Sequence, residues 1–238
     1  MRITMPLSVY EINRKHTVNH HYFDQIDSEE KAYWLGFLWA DGSISKTATR
    51  CSGKNRLTLS QKIKEIKHLK KFADALHSDS SIQIREPMPN QKIAVLHINS
   101  RLLCESLENI GYGNKQNRLN IPKMPKKLLR HFIRGYFDGD GCLSIYEQKV
   151  KQWTIHRQEW SLTGPQRLIE NIRDILNQQT TVSPSVKIKT YARTNKAVSL
   201  RYGKKSDIDT LYHYLYDDAT IYLDNKHQKF VDFYSRQS

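Results

Sequence analysis

The chain has 238 residues, of which 38% are hydrophobic and 10% aromatic, enough for a packed core and too apolar for a disordered chain. The 38 Lys and Arg outnumber the 24 Asp and Glu, leaving a net charge of +14. No apolar run approaches the ~20 residues of a bilayer span, and no sustained apolar region follows residues 1–7 as a secretory signal would require. A soluble intracellular protein with no membrane partner is expected.

The basic residues occur along the whole chain, so the surface they make belongs to the fold. A surplus of this size points to a polyanion, and nucleic acid is the usual one because each neutralised phosphate releases counterions. A solvated basic surface is the alternative. Cys51, Cys104 and Cys142 show no metal-ligand spacing, and three is a poor disulfide framework. They read as packing residues of a reducing compartment.

In chain order, residues 1–26 form an N-terminal extension. A helix begins at Asp27 or Ser28, where Asp27 and Glu30 have capping-box spacing, and it stops at Asp41. Strands are expected over 43–50 and 55–62. A helix over 65–77 follows, with Ile66, Leu69, Phe72, Ala73 and Leu76 on one face. Strands over 81–85 and 92–98 come next, then a helix through Leu102, Leu103, Leu107 and Ile110 that Gly111 ends. Residues 112–124 are a linker, broken by Gly113, Asn114, Asn117, Asn120 and Pro122.

The order then recurs. A helix starts at Pro125, in the favoured first-turn position, and runs to Asp140. Strands cover 142–149 and 152–162, a helix opened by Pro165 covers 166–177, and strands cover 186–191 and 197–202. Helices over 208–216 and 225–234 complete the chain. The fold class is α+β, with two αββαββα subdomains at 27–111 and 125–238.

The two repeats open alike, with Tyr33-Trp34-Leu35-Gly36-Phe37-Leu38-Trp39-Ala40-Asp41-Gly42 and Phe132-Ile133-Arg134-Gly135-Tyr136-Phe137-Asp138-Gly139-Asp140-Gly141. Each reads as an apolar helix that ends at an acid, closed by a glycine in the left-handed conformation. Gly36 with Ala40, and Gly135 with Gly139, place small residues four apart. Glycine costs a helix about 1 kcal/mol against alanine, and the usual return is close backbone approach. The two helices should therefore pack together and bring Asp41 to Asp140. A helix C-terminus favours a cation, and two close carboxylates repel unless a metal or a proton lies between them. Magnesium takes such sites, completing its shell with water and phosphate oxygens. Asp-Gly alone is a common hairpin turn; its repetition at the end of two apolar helices favours the metal reading.

These segments resemble the LAGLIDADG motif, with residues 34–42 and 133–141 filling its nine positions. The chain resembles a single-chain, double-motif LAGLIDADG homing endonuclease from about residue 22 to 234. The resemblance implies a pseudo-dimeric fold in which each half presents a four-stranded antiparallel saddle to double-stranded DNA. It implies a long asymmetric target read in the major groove. Both strands would be cut across the minor groove, leaving short 3′ overhangs, with Mg2+ as cofactor and Mn2+ or Ca2+ able to take its place in binding. It places Asp41 and Asp140 as metal ligands, with the carbonyls of Ala40 and Gly139 as further ligands. Gln61 is the candidate polar catalytic residue, and Lys92, Lys196 and Lys204 are candidate lysines. Trp39 departs from the motif's first acid, which Asp138 keeps. A monomer is expected. The alternative is a non-cleaving relative: a maturase that binds intron RNA, or a DNA-binding regulator.

Strand alternation sorts the candidate DNA contacts. With Ile44 inward, Ser43, Ser45, Thr47 and Thr49 share the outer face, and Arg50 ends the strand. With Leu57 and Leu59 inward, Arg56, Thr58 and Ser60 face out. With Leu143 and Ile145 inward, Ser144, Tyr146 and Gln148 face out. With Trp153 and Ile155 inward, Gln152, Thr154 and His156 face out. Arg85, Lys187, Lys189, Tyr191 and Arg201 complete the set. Such side chains suit base edges and phosphates.

Overall fold

The computed structural model describes residues 16–47, 54–114, 118–190 and 197–235. Thr49, Arg50, Cys51, Asn117, Tyr191 and Lys196 lie outside the described residues, as do the side chains of Thr47 and His156.

The first helix, α1 (Glu29–Asp41), is apolar on every side and is buried from Ala32 to Ala40. An all-apolar helix needs neighbours all round, and α1 finds its main one in α4 (Leu129–Asp140). The glycines set how close the two run. A Cβ on Gly36 would lie 2.0 Å from the Phe132 carbonyl oxygen, and one on Gly135 would lie 2.0 Å from that of Tyr33. Two backbones in direct contact, related by a pseudo-two-fold, explain the costly glycines.

After α1 come β1 (Ser43–Thr47), β2 (Lys54–Lys62), a 3-10 turn (Ile63–Glu65), α2 (Ile66–Ala75), β3 (Ile82–Met88), β4 (Gln91–Asn99) and α3 (Arg101–Asn109). After α4 come β5 (Gly141–Val150), β6 (Trp153–Gly164), α5 (Gln166–Gln179), β7 (Lys189–Thr190), β8 (Val198–Tyr202), α6 (Lys205–Tyr216) and α7 (Asp224–Ser235). The sheets are antiparallel with matching orders, β1-β2-β4-β3 and β5-β6-β8-β7. In each, one face covers the helices. Leu57, Leu59, Leu96 and Ile98 line that face in the first sheet, and Leu143, Trp160, Leu162 and Leu200 in the second.

Several local expectations need correction. Of the two expected starts of α1, Ser28 is the N-cap, its hydroxyl accepting from Lys31 N–H, while Asp27, expected in a capping box with Glu30, pairs with the Lys31 ammonium at 3.0 Å. Gly42 and Gly141 are extended, at φ −77° and −86°, not left-handed. They are glycines for space: a Cβ on Gly42 would lie 2.5 Å from the Tyr112 hydroxyl, and one on Gly141 would lie 2.1 Å from the Phe137 ring. Gly111 does take the left-handed conformation, φ 96°, at the end of α3. A 3-10 turn (Lys126–Leu128) follows Pro125 before α4 begins. Among the described residues, the strand expected over 186–191 covers Lys189–Thr190, so Lys187 precedes it.

The sides of β6 are reversed from expectation. Leu143 pairs with Trp160 and Lys149 with Thr154, which puts Thr154 on the core side of the sheet. His156, paired with Glu147, has the same parity. Gln152 lies in the turn before the strand. Trp153 and Ile155 take the outer face, and Trp153 is 68% exposed. The buried Trp160 and Leu162 set the alternation, and the Trp153 end of the hairpin is exposed. Ile145 has core-side parity yet is also exposed near that end.

Candidate active site and nucleic-acid interface

Asp41 is the last residue of α1 and Asp140 the last of α4. The helices converge at their C-terminal ends. A Cβ on Gly139 would lie 2.4 Å from the Ala40 Cβ and 3.4 Å from Asp41 Oδ2. The Asp41 carboxylate is thus packed against the residue that precedes Asp140. Tyr136, whose burial is the main reason its hydroxyl is hard to ionise, also feels the charges of both Asp140 and Asp41. Gln61, at the end of β2, donates its amide N–H to Asp41 Oδ2 at 2.7 Å.

Two cations hold the same ends, Arg118 buried and Lys226 half-buried, and neither was found from the sequence. The Arg118 guanidinium donates to the carbonyls of Leu38 (2.9 Å), Trp39 (2.8 Å), Gly42 (2.8 Å) and Gly113 (3.0 Å). It stacks 3.8 Å from the Tyr112 ring centroid. In the second half the Lys226 ammonium donates to the Gly141 carbonyl and sits over the Phe137 ring. Each cation comes from the chain that follows its half's last common helix, and each binds the carbonyl of the glycine after the acid. Burial lowers the pKa of both cations; Asp140 opposes the shift at Arg118, and Asp138 and Asp41 oppose it at Lys226. Lys92 is exposed at the start of β4, and Lys204 turns to Ser183 Oγ.

The motifs differ two residues earlier. Asp138 is buried, and its carboxylate accepts from the hydroxyls of Tyr33 (2.8 Å) and Tyr216 (2.6 Å) and from Leu223 N–H (2.7 Å). Burial raises its pKa to about 6. The Leu223 carbonyl in turn accepts from the N–H groups of Lys226 and His227, so Asp138 ties α4 to the start of α7. Trp39 holds the matching place in α1, packed against Tyr112 and Phe132.

The donor set suits a divalent cation that shares its shell with a substrate. Two carboxylates stand at the converging helix ends, while among the described residues no group of three or more His, Cys, Asp or Glu could hold a metal unaided. Magnesium commonly binds through one or two carboxylates and phosphate oxygens.

The strands that leave the acids carry the outer faces. In the first sheet Ser43, Ser45, Arg56, Thr58 and Ser60 share one face, as expected, and Arg85 is also there. Gln83, His97 and Asn99 join them and were not anticipated. Arg56 donates to Asn99 Oδ1 at 2.8 Å, and Arg85 lies 2.7 Å from Gln83 and 2.9 Å from His97 Nε2. A guanidinium only donates, so His97 accepts at Nε2 and gives its Nδ1 proton to Thr58 Oγ1, 2.9 Å away. Burial, then Arg56 and Arg85, lower the His97 pKa and favour this neutral form. In the second sheet Ser144, Tyr146, Gln148, Arg201 and Lys189 share the outer face.

No protein-family model matches the chain. Over 123 residues it is 30% identical to the replication factor C small subunit of Methanocaldococcus jannaschii, covering 50% of this chain and 6% of that protein. Over 206 residues it is 28% identical to DNA-directed RNA polymerase subunit Rpo1C of the same organism, covering 79% and 21%. The chain thus spans a small part of the curated relatives it matches. Among solved structures it is similar to the LAGLIDADG homing endonuclease I-GzeII in complex with its DNA target (TM-score 0.61, 12% identity, 86% and 88% coverage). It is also similar to the LAGLIDADG meganuclease I-CpaMI bound to uncleaved DNA (0.62, 13%, 88% and 90%). A third is I-SmaMI bound to an uncleaved DNA target with calcium ions (0.56, 14%, 88% and 90%).

The fold is therefore that of a LAGLIDADG homing endonuclease. This chain carries it in the single-chain form, with both motif helices in one polypeptide.

Proposed function

We propose that the chain is a monomeric, site-specific endonuclease that cuts both strands of duplex DNA at Asp41 and Asp140. The carrying observation is the meeting of two acid-bearing helix ends, capped by Arg118 and Lys226, at the origin of two outward sheet faces. Divalent cations held by Asp41, Asp140 and the carbonyls of Ala40 and Gly139 would activate the attacking water and polarise the scissile phosphate. Gln61 fixes one oxygen of Asp41. Arg118 spends its donors on carbonyls and neutralises the end of α1. Lys226 spends one donor on Gly141 and keeps others for a phosphate oxygen. The sheet faces read the flanking duplex in the major groove.

The match to small parts of unlike proteins supports a unit carried within different hosts. A non-cleaving RNA maturase or DNA-binding regulator would have no use for the paired acids. The test is cleavage selection from a randomised duplex library with Mg2+. Recovery of one long asymmetric site supports the reading, and preferential binding of structured RNA without cleavage of any duplex contradicts it.

A further inference from the structure

The two outer faces are chemically unlike. The first sheet shows a bonded polar set built on Arg56, Arg85 and His97. The second, at its hairpin end, shows Trp153, Ile155 and Tyr146. Trp153 and Ile155 are two apart on β6, and Tyr146 is diagonal to Ile155 because Gln148 pairs with Ile155 and Tyr146 with Arg157. Trp153 is 68% exposed and Tyr146 48%. Isolated exposed apolar residues are ordinary, but a contiguous cluster marks an interaction surface.

Two observations choose the partner. The stripe lies on the face of a strand that begins at Gly141, beside the acid pair, so it continues the proposed DNA interface. It is also interleaved with Arg157 and Gln148, joined at 3.1 Å, in a chain of net charge +14. An apolar stripe within a basic, hydrogen-bonding face matches a major-groove edge that carries methyl groups. Among the four bases only thymine offers one, at C5.

We propose that the second sheet reads the outer part of its half-site through thymine methyls, using Trp153, Ile155 and Tyr146, while the first sheet reads its half by polar contacts. This rests on the reading of the chain as a duplex binder. Position follows from strand geometry. Tyr146 is on β5 itself, Ile155 stands opposite Gln148 and Trp153 opposite Val150, so they lie about 17, 23 and 30 Å along β5 from Gly141 at ~3.3 Å per residue. At ~3.4 Å per base pair, the thymines fall roughly five to nine pairs from the cut.

The experiment starts from the duplex recovered by selection and replaces each thymine in that window with uracil, which removes the methyl alone. The wild type should bind the uracil duplex about three- to fourfold more weakly per contacted methyl. Trp153→Ala should weaken binding to the thymine duplex and bind both duplexes within about 1.5-fold of each other at the position Trp153 contacts. Trp153 is exposed, so this variant tests contact and not folding. Selected sites without thymine in that window, an unchanged affinity on uracil substitution, or an equal methyl effect in Trp153→Ala would each overturn the inference while leaving the nuclease reading intact. If no duplex is bound at all, both fall.

Discussion

A carboxylate at the end of a helix faces the negative pole of the dipole, and Asp41 and Asp140 are two such groups placed side by side. Arg118 and Lys226 offset that repulsion by binding the terminal carbonyls from behind. The two cations are not equivalent, because the Arg118 donors are committed to four carbonyls. Lys226→Met should therefore lower cleavage about a hundredfold with duplex affinity within a few-fold, and Lys226→Arg should recover part of the loss. Single-turnover cleavage beside filter binding checks this; equal loss of binding and cleavage would assign Lys226 to the interface instead.

His68 makes a second prediction at this scale. Its Nε2–H donates to the Tyr33 hydroxyl, whose one proton goes to Asp138. Burial pushes the His68 pKa down to about 3, from an ordinary value of 6.5. The unfolded chain takes up the proton first, so this contribution to stability is complete above pH 6.5 and is lost as pH falls toward 3. Between about pH 6 and 4 the wild type should lose roughly 1.4 kcal/mol per pH unit more than His68→Gln. Urea unfolding at several pH values measures the difference, and parallel profiles would contradict it.

At the scale of elements, α1 and α4 were legible because their glycines made no sense as helix residues and good sense as contact residues. Gly135→Ala, with a Cβ 2.0 Å from the Tyr33 carbonyl oxygen, should cost about 3 kcal/mol. It should lower the melting temperature by about 2–4 °C for each kcal/mol; an unchanged melting temperature would mean the helices are farther apart. The sheets were legible where alternation had a buried anchor, as at Leu57 and Leu59. They were misread where an apolar residue was outside: Trp153 and Ile155 looked like core and inverted β6. Arg118 and Lys226 were missed because nothing local distinguishes a lysine that reaches a helix end from one in water. The pseudo-symmetry was the available signal, since each follows the last common helix of its half. The Asp138 network was missed because Tyr216 and Leu223 come to it from 78 and 85 residues away.

At the scale of the whole molecule, two sheets with matching strand orders extend from one acid pair, and the surplus of 14 positive charges is spread along the chain. Binding to any duplex should then be strongly salt-dependent, with affinity falling about 10³-fold or more between 50 and 200 mM salt if six or more phosphates are contacted. A titration at stepped salt gives the slope, and a slope near zero would remove the phosphate contacts from the account.

The central claim is that the two helix ends make one composite site in which both acids are needed. The direct measurement is Mg2+-dependent cleavage of the selected duplex by the wild type, Asp41→Asn and Asp140→Asn, with binding followed in parallel. Each variant should bind within a few-fold of the wild type and produce no double-strand break. Cutting of both strands by either variant at the wild-type rate would contradict it.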